Sequence, residues 1–346
     1  MRNLKFEDKQ SSVTVIGAGS WGTALALVLT DNGINVTLTD KIVAHLLDIK
    51  ENKVNKSYLP GIKLPVDKIN FEISAETAIQ ENEICVCALP TQYIRDYFSV
   101  LPAGSLKGKK IINVSKGIEI KTQKRVSEIF DDLAGKSFSE NYCILTGPSH
   151  AEEVSRKQLT SIIAASKNAE LAELTQKLFN NSYFRIYTGS DVSGAEIGGA
   201  LKNIIAIAAG VCDGLKLGDN ARAALITRGL AEITRFGIAF GADERTFSGL
   251  SGLGDLVVTC GSSHSRNYRC GLALAKNNDI EAIKISIGQV IEGVYTAEAV
   301  YDIALKAGID MPISEQIYKL IKDKSLNAAE AVTQLMTRIS KPEFYR

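Results

Sequence analysis

A glycine-rich stretch near the start of the chain constrains the fold more than any other feature of the sequence. Residues 17–22 read GAGSWG, with glycine at the first, third and sixth positions. A β-branched run at residues 13–16 precedes them, and the apolar stretch TALALVLTDN follows, predicted to be a helix that ends at Gly33. A strand, a tight glycine turn and a helix in this order predict the first unit of a doubly wound fold that binds a dinucleotide.

Each residue of this motif has its own physical role. Gly17 permits the tight turn, Gly19 lets the backbone approach a pyrophosphate, and Gly22 lets the helix pack closely on the strand. The N-terminus of the helix then offers free N–H groups to the phosphates. Asp40, at the end of the next predicted strand, favours NAD because a carboxylate there binds a ribose 2′-hydroxyl. Lys41 beside it could instead meet the 2′-phosphate of NADP.

Strand and helix patterns alternate through the first half of the chain. Strands are predicted at residues 13–16, 35–40, 69–74, 83–89, 110–115, 142–147, 161–166 and 183–188. This alternation predicts right-handed βαβ units and a mainly parallel sheet. From Val192 onward, long Ala-, Ile- and Leu-rich segments replace the strand patterns. We therefore predict an α/β Rossmann domain over residues 1–190, with residues 1–12 as a polar lead-in, and an all-α domain over residues 192–346.

Length and charge exclude several classes of protein. The 346 residues exceed the ~250–300 at which one hydrophobic core stops growing, so two domains are expected. With 40 basic and 39 acidic residues, the net charge of +1 gives no electrostatic footprint for nucleic acid or an anionic membrane. No run approaches the ~18 apolar residues of a membrane span, and the N-terminus lacks the apolar region of a secretory signal. We expect a cytoplasmic protein.

Cysteine and histidine usage argues against disulfides and against a metal site. Six cysteines occur, mostly within apolar stretches and without a C-x-x-C pair, and three histidines lack zinc-ligand spacing. Buried free thiols in a reducing compartment are the expected state.

Two lysines stand out against their surroundings. Lys202, next to Asn203, interrupts a helix pattern that is otherwise small or apolar on every side, so we expect it to be buried. Gly198 and Gly199, one helical turn earlier, would leave space beside its ammonium group. Lys116 follows the predicted strand 110–115, at the end of the sheet where doubly wound folds bind their ligands.

Two further polar segments carry candidate binding groups. The sequence GPSH ends the strand 142–147 and brings Gly147 and Ser149 to the same edge of the sheet. Asp255 follows a glycine-rich bend, and residues 265–267 then give a hydroxyl, a planar cation and an amide in succession. Such a set suits a phosphate ester, because an arginine can grip two phosphate oxygens at once.

Taken together, these stretches resemble the bacterial NAD(P)-dependent glycerol-3-phosphate dehydrogenase family over essentially the whole chain. The resemblance lies in VIGAGSWGTALA, YLPGIKLP, NVSKGIE, LTGPSHAEEV, the long block from GGALKNIIAIAAG to ITRGLAE, SGLGDLVVTC, HSRN and IEGVYTA. Many members carry Trp, a small residue and a basic or polar residue after the second strand. Here Thr39, Asp40 and Lys41 stand there instead, which leaves the choice between NAD and NADP open.

The resemblance implies roles for individual residues. It implies that Lys202 is the general acid/base and binds substrate, and that the remaining substrate-binding positions are Lys116, Gly147, Ser149, Asp255, Ser265, Arg266 and Asn267. The implied cofactor-binding positions, with the glycine motif and Asp40 and Lys41, are Ser20, Trp21, Tyr58, Lys116, Ala151, Arg266, Val290 and Glu292. It further implies that the reaction supplies glycerol 3-phosphate for phospholipid synthesis.

In that reaction a secondary alcohol is oxidised, or a ketone reduced, by hydride transfer with the nicotinamide. If Lys116 and Lys202 converge, burial and mutual repulsion would lower the pKa of Lys202 towards the ~7–8 that suits proton transfer. Two other readings stay open: a dehydrogenase acting on a hydroxyacid such as 6-phosphogluconate, and a catalytically silent NAD-binding regulator. HSRN and GPSH argue against the first, and Lys116, Lys202 and Asp255 against the second. The extensive apolar helical surface is compatible with a homodimer.

Overall fold

The computed structural model describes residues 12–343, apart from the side chain of Ser137; the predicted polar lead-in lies almost wholly outside the described residues. Their first half forms an eight-stranded and a two-stranded sheet. The strands are β1 Ser12–Ile16, β2 Asn35–Thr39, β3 Val54–Asn55, β4 Leu59–Lys63, β5 Ile69–Phe71, β6 Ile84–Cys87, β7 Lys110–Asn113, β8 Tyr142–Thr146, β9 Thr160–Ala165 and β10 Phe184–Gly189. All eight predicted strands are therefore present, within a few residues of their predicted ends.

The large sheet has the order β10-β9-β8-β7-β6-β1-β2-β5. Neighbouring strands are parallel, as predicted, except that β8 and β9 are antiparallel. From β1 the chain passes outward through β2 to β5 at one edge of the sheet, and then returns to β6 on the other side of β1. The resulting switch point lies between β1 and β6, where ligands bind beyond the carboxyl ends of the strands in this type of fold.

Helices cover both faces of this sheet, which buries its strands on both sides as parallel sheets require. They are α1 Ser20–Asp31, α2 Val43–Asn52, α3 Ala75–Glu81, α4 Thr91–Ser99, α5 Val126–Ala134, α6 Ala151–Ser155 and α7 Ala169–Phe179. Sequence patterns did not predict the hairpin of β3 and β4. Its first strand has two residues and its second contains Pro60 and Gly61, so neither has a strand-like pattern.

After Gly189 the described residues form helices and no strand, as predicted for the second half of the chain. These are α8 Val192–Gly214, α9 Asp219–Ala239, α10 Glu244–Phe247, α11 Asp255–Cys260, α12 Arg266–Leu274, α13 Ile280–Ile287, α14 Glu292–Ala307, α15 Pro312–Lys322 and α16 Ala328–Met336, with a π-helical turn at Leu250–Gly254.

Helix α8 forms the axis of the helical half. It is apolar on every side because α9, α11, α12 and α14 all pack against it. By length and composition alone this helix could cross a membrane, contrary to the sequence reading that no segment is long enough. Its apolar stretch is entirely buried within the protein, however, so core packing accounts for its composition.

A close crossing of α8 and α12 brings polar residues of both helices together. A Cβ atom on Gly271 of α12 would collide with the carbonyl oxygen of Ile207 in α8, so the helix backbones are nearly in contact. The first turn of α12 therefore lies beside the turn of α8 that carries Lys202 and Asn203.

Candidate functional site

The glycine turn after β1 has the geometry that the motif predicts. Gly17 has a φ of 104°, and a Cβ atom there would lie 2.7 Å from the carbonyl oxygen of Ala88. A Cβ atom on Gly22 would collide with the carbonyl oxygen of Gly17. Gly19, in contrast, faces open space, and no side chain caps α1 at its N-terminus. The turn therefore leaves room and unshared N–H groups for an anionic ligand.

Asp40 supports this turn directly. Its Oδ2 atom accepts a hydrogen bond from the N–H of Ala18 at 2.6 Å, and Oδ1 accepts one from Ile42 at 2.8 Å. The carboxylate is half-buried, whereas Lys41 is exposed. Asp40 thus shapes the loop that follows β1, which the sequence reading did not foresee, and lies at the predicted ribose position.

The hairpin of β3 and β4 closes over the same turn. The carbonyl oxygen of Ala18 accepts hydrogen bonds from Asn55 Nδ2 at 2.8 Å and, in the corresponding tautomer, from His45 Nε2 at 3.1 Å. The ring of Tyr58 meets the His45 ring edge-on, with 5.0 Å between centroids. Trp21 packs nearby, against the small cluster formed by Ala24, Leu59 and Ala151. The turn thus brings the predicted cofactor positions Trp21, Tyr58 and Ala151 to one region.

A second group of polar residues lies where β7, β8, α8 and α11 meet. Lys202 donates a hydrogen bond to Oδ1 of Asp255, and Lys116 donates one to Oδ2, each at 2.6 Å. Asp255 is 1% exposed and Lys202 is 6% exposed. One carboxylate therefore joins two ammonium groups that are far apart in sequence, and it leaves a net positive charge in the cleft.

Burial lowers the pKa of Lys202 to about 8. The Asp255 carboxylate opposes this shift, and the positive charge of Lys116 reinforces it. A lysine with this pKa exchanges its proton near neutral pH, as a general acid/base must. Lys202 is thus buried, as expected, and in a protonation equilibrium suited to proton transfer.

Sequence reasoning overlooked Thr259 and predicted that Gly198 and Gly199 leave space beside the Lys202 ammonium group. A Cβ atom on Gly198 would lie 2.6 Å from the carbonyl oxygen of Ser251, and one on Gly199 would lie 3.1 Å from Thr146 Oγ1, so both glycines permit close packing. Thr259 accepts a hydrogen bond from Lys202 at 2.6 Å. Its position four residues after Asp255, on the same face of α11, is the signal that could have identified it.

The GPSH turn lies at the same cleft. The carbonyl oxygen of Gly147 accepts hydrogen bonds from Lys116 at 3.0 Å and from Ser149 Oγ at 2.9 Å. His150 was not predicted as a site residue. Its Nε2 atom lies 3.4 Å from the carbonyl oxygen of Val258 in α11. Burial lowers the pKa of His150, and the charge of Lys202 lowers it further.

All three residues in the predicted phosphate-binding set form contacts within the protein, and those of Ser265 and Asn267 lie around the start of α12. Ser265 is 5% exposed, and its Oγ caps α12 by accepting the N–H of Tyr268. Asn267 donates to Oδ1 of Asn203 at 2.8 Å and accepts the N–H of Gly293 at 2.9 Å. Asn203 in turn donates to the carbonyl oxygen of Lys116 at 3.3 Å, so this chain of amides links α14 to the lysine cluster.

Arg266 lies near Val290 and Glu292, two of the predicted cofactor-binding positions. It donates a hydrogen bond to the carbonyl oxygen of Val290 at 3.0 Å, and burial lowers its pKa despite the negative charge of Glu292. Glu292 accepts the N–H of Thr91 at 2.9 Å and has its pKa raised to about 7 by burial. Among the described residues, nothing donates to Oε2 of Glu292 or pairs with Oγ1 of Thr91, although both atoms are buried.

The residues around the glycine turn and the switch point fit a dinucleotide. The open space at Gly19 and the uncapped end of α1 fit a pyrophosphate, and Asp40 fits a ribose. The unpaired atoms of Thr91 and Glu292 stand beyond β6, at the switch point of the sheet, and fit a ligand that brings a donor. Within the described chain, no three His, Cys, Asp or Glu residues are grouped so that they could hold a metal ion. All six cysteines are free and buried, as expected.

Comparison with protein families gives two matches that together span most of the chain. Residues 12–172 match the N-terminal part of NAD-dependent glycerol-3-phosphate dehydrogenase, and residues 191–333 match its C-terminal part.

Individual proteins agree with this result. The chain is 47% identical over 333 residues to glycerol-3-phosphate dehydrogenase [NAD(P)+] of Geobacillus thermodenitrificans, covering 96% of each chain. It is 46% identical over 334 residues to the protein of the same name from Listeria monocytogenes, covering 96% of this chain and 98% of the other. Among solved structures, glycerol-3-phosphate dehydrogenase from Coxiella burnetii superposes with a TM-score of 0.88 at 34% identity, covering 95% of this chain and 99% of that one.

Proposed function

Because the chain belongs to the NAD-dependent glycerol-3-phosphate dehydrogenase family, we propose that it interconverts sn-glycerol 3-phosphate and dihydroxyacetone phosphate with NAD(P)(H). The observation that carries this proposal is the pair of lysines on one buried carboxylate. Lys202, with a pKa of about 8, and Lys116 converge on Asp255 beyond the ends of β7 and β8. A site that moves a proton on and off an alcohol oxygen needs such a group.

When bound, the nicotinamide accepts or supplies the hydride. Lys202 takes the hydroxyl proton during oxidation and returns it during reduction. Lys116, fixed between Asp255 and the carbonyl oxygen of Gly147, holds and polarises the reacting oxygen. Asp255 orients both ammonium groups and limits their mutual repulsion.

The turn after β1 would hold the dinucleotide. Gly17, Gly19 and Gly22 shape the backbone there, and the N–H groups of Ser20 and Trp21 would face the pyrophosphate. The remaining residues proposed to contact the cofactor are Asp40, Lys41, Tyr58, Lys116, Ala151, Arg266, Val290 and Glu292. We propose a preference for NAD, because the Asp40 carboxylate would repel a 2′-phosphate more strongly than the exposed Lys41 would attract it.

Arg266 would bind the substrate phosphate. Its charge is half-buried near Glu292, and among the described residues only its Nη1 atom donates a hydrogen bond, to the carbonyl oxygen of Val290. The other N–H groups of the guanidinium remain to grip a phosphate. The residues proposed to complete the substrate site are Gly147, Ser149, Ser265 and Asn267, and the second N–H of the Asn267 amide remains for a ligand.

We further propose the wider setting of the enzyme. The division into domains falls near residues 190–191, after the last strand and before α8. The six buried thiols suit a reducing cytoplasm, where glycerol 3-phosphate would supply phospholipid synthesis. Leu217, Ile238 and Phe240, at the two ends of α9, are 42%, 49% and 42% exposed and would be covered in a homodimer.

One assay separates this function from its alternatives. NADH oxidation is followed with dihydroxyacetone phosphate, and NAD+ reduction with glycerol 3-phosphate, with 6-phosphogluconate and with glycerol. We expect turnover with the first two substrates and very little with the last two. Turnover of 6-phosphogluconate alone, or cofactor binding without turnover of any substrate, would overturn the proposal. Light scattering after size-exclusion chromatography tests the homodimer, which a monomeric mass would refute.

A further inference from the structure

Side chains of α4 contact the segment that follows Lys116 and add to the few hydrogen bonds within it. Residues 117–125 form neither helix nor strand, and their own regular pairing is a single bridge between Ile118 and Arg125. Ile118 packs into the apolar core of the helical half. The segment therefore crosses from the sheet to the helices immediately after the lysine that anchors Asp255.

Gln92, in the first turn of α4, holds this segment with both ends of its amide. Nε2 donates to the carbonyl oxygen of Ile118 at 2.8 Å, and Oε1 accepts the N–H of Ile120 at 3.0 Å. One side chain thus pairs with two backbone groups of alternate residues, as a neighbouring β-strand would. None of the roles described above uses Gln92.

We propose that Gln92 is a positioning residue for Lys116. By fixing the backbone at 118 and 120, it holds the Lys116 ammonium group between Asp255 and the carbonyl oxygen of Gly147. This inference rests on the proposed function of Lys116 in binding the reacting oxygen.

A separate contact keeps the segment attached when Gln92 is changed. Arg95, one turn further along α4, makes a two-pronged ion pair with Glu119, with N–O distances of 2.9–3.0 Å. Replacing Gln92 therefore removes the two hydrogen bonds that fix the backbone of residues 118–120, and it leaves the ion pair of Arg95 with Glu119 in place. The expected defect is a displaced Lys116 in a folded protein.

A displaced Lys116 has a consequence for Lys202. The charged and titratable groups that face Lys202 are Asp255, Lys116, His150 and Cys260. Of these, Lys116 supplies a positive charge that disfavours the ammonium form of Lys202. Moving that charge away makes the ammonium form more stable, so the pKa of Lys202 rises above its value of about 8.

The test uses Gln92→Leu, with Gln92→Met as a second variant of greater length that also lacks both hydrogen bonds. Gln176→Leu is the matched control, because Gln176 donates to the carbonyl oxygen of Ile186 at 2.8 Å at the far edge of the sheet. For the Gln92 variants we expect KM for glycerol 3-phosphate to rise ~10-fold, because a displaced Lys116 no longer makes its full hydrogen bond to the reacting oxygen. Fluorescence of Trp21, the single tryptophan, should report unchanged NADH binding.

The pKa of Lys202 is followed both in the pH dependence of kcat/KM and by 15N NMR titration of the lysine Nζ signals. An increase of about 0.5 unit or more in the Gln92 variants, absent in Gln176→Leu, supports the proposal. KM and pKa values equal to those of the wild type would overturn it. The NMR titration does not depend on turnover, so a wild type that fails to oxidise glycerol 3-phosphate contradicts the proposed function and still leaves the positioning of Lys116 decided.

Discussion

The Asp40 carboxylate accepts a hydrogen bond from the backbone N–H of Ala18 at 2.6 Å. The residue proposed to discriminate between NAD and NADP therefore also supports the turn that we propose binds the pyrophosphate of both. Its negative charge and its hydrogen bonds are two separate contributions, and different substitutions can separate them.

Cofactor preference is the first consequence. Asp40→Asn removes the charge and keeps an oxygen that can accept one of the two N–H groups, so it should narrow the preference for NADH over NADPH with little loss of activity with NADH. Asp40→Ala should weaken both cofactors, because the Ala18 N–H then loses its partner. The measurement is kcat/KM with each cofactor. A wild type that already prefers NADPH tenfold would show that Lys41 outweighs Asp40.

We expect recognition of the substrate phosphate to depend on Arg266. Losing its guanidinium should raise KM for glycerol 3-phosphate by at least ~10-fold, since hydrogen bonds to charged groups contribute ~1.5–3 kcal/mol each. Arg266→Lys keeps the charge without the planar fork and should rescue only partly. Arg266→Ala should also shrink the gap between glycerol 3-phosphate and glycerol as substrates. An equal loss with both substrates would argue for a structural or cofactor role, which Trp21 fluorescence with NADH would then identify.

The charge of Asp255 sets the protonation of Lys202. This carboxylate opposes the lowering of the Lys202 pKa, so Asp255→Asn should lower that pKa further below about 8. Reduction of dihydroxyacetone phosphate needs the ammonium form, and its kcat should therefore begin to fall at a lower pH in the variant. Asp243→Asn, on the exposed loop before α10, is a matched control that should leave the profile unchanged. An unchanged or upward-shifted profile in Asp255→Asn would contradict the assignment.

A buried carboxylate in the helical half gives a prediction about stability. Glu232 accepts the N–H groups of Ile313 and Ser314, and burial raises its pKa from 4.5 to about 7. A group with a raised pKa contributes stability that is complete below its unfolded pKa and is lost as pH rises through its folded pKa. The wild type should therefore lose stability as the pH rises from 5 to 8. Glu232→Gln has no such titration, so the difference in unfolding free energy, variant minus wild type, should become more positive over this range.

Urea unfolding at both pH values measures this difference, with the exposed Glu281→Gln as the control. A difference between Glu232→Gln and wild type that does not depend on pH would show that Glu232 keeps an ordinary pKa in the folded protein.

Local patterns in the sequence predict the elements of the fold, whereas the site depends on contacts that patterns do not encode. The eight strands of the large sheet and the glycine turn could be predicted, because periodicity and turn chemistry are local. The hairpin of β3 and β4 could not, since Pro60 and Gly61 conceal its second strand. The antiparallel pairing of β8 with β9 also leaves no local signal.

The lysine cluster shows the same division. The apolar helix around Lys202 predicts its burial, but only the family resemblance implied that Lys116 would lie beside it. Asp255 joins the two from a third element, and no spacing in the sequence indicates that contact. The capping role of Ser265 could be predicted from its place before α12, and its contact with the substrate stays a prediction.

We propose that Lys202 exchanges the proton of the reacting oxygen. With its pKa lowered to about 8, oxidation of glycerol 3-phosphate should accelerate as pH rises through that value, and reduction of dihydroxyacetone phosphate should slow. The most direct measurement is kcat in both directions from pH 6 to pH 10 for the wild type, Lys202→Ala and the control Lys109→Ala, whose ammonium group bonds carbonyl oxygens of Gln80 and Asn82. We expect opposite pH trends for the two directions in the wild type and in the control. In Lys202→Ala, kcat should fall at least ~10²-fold and neither pH trend should remain. Near-normal turnover in Lys202→Ala with the same pH dependence would contradict it.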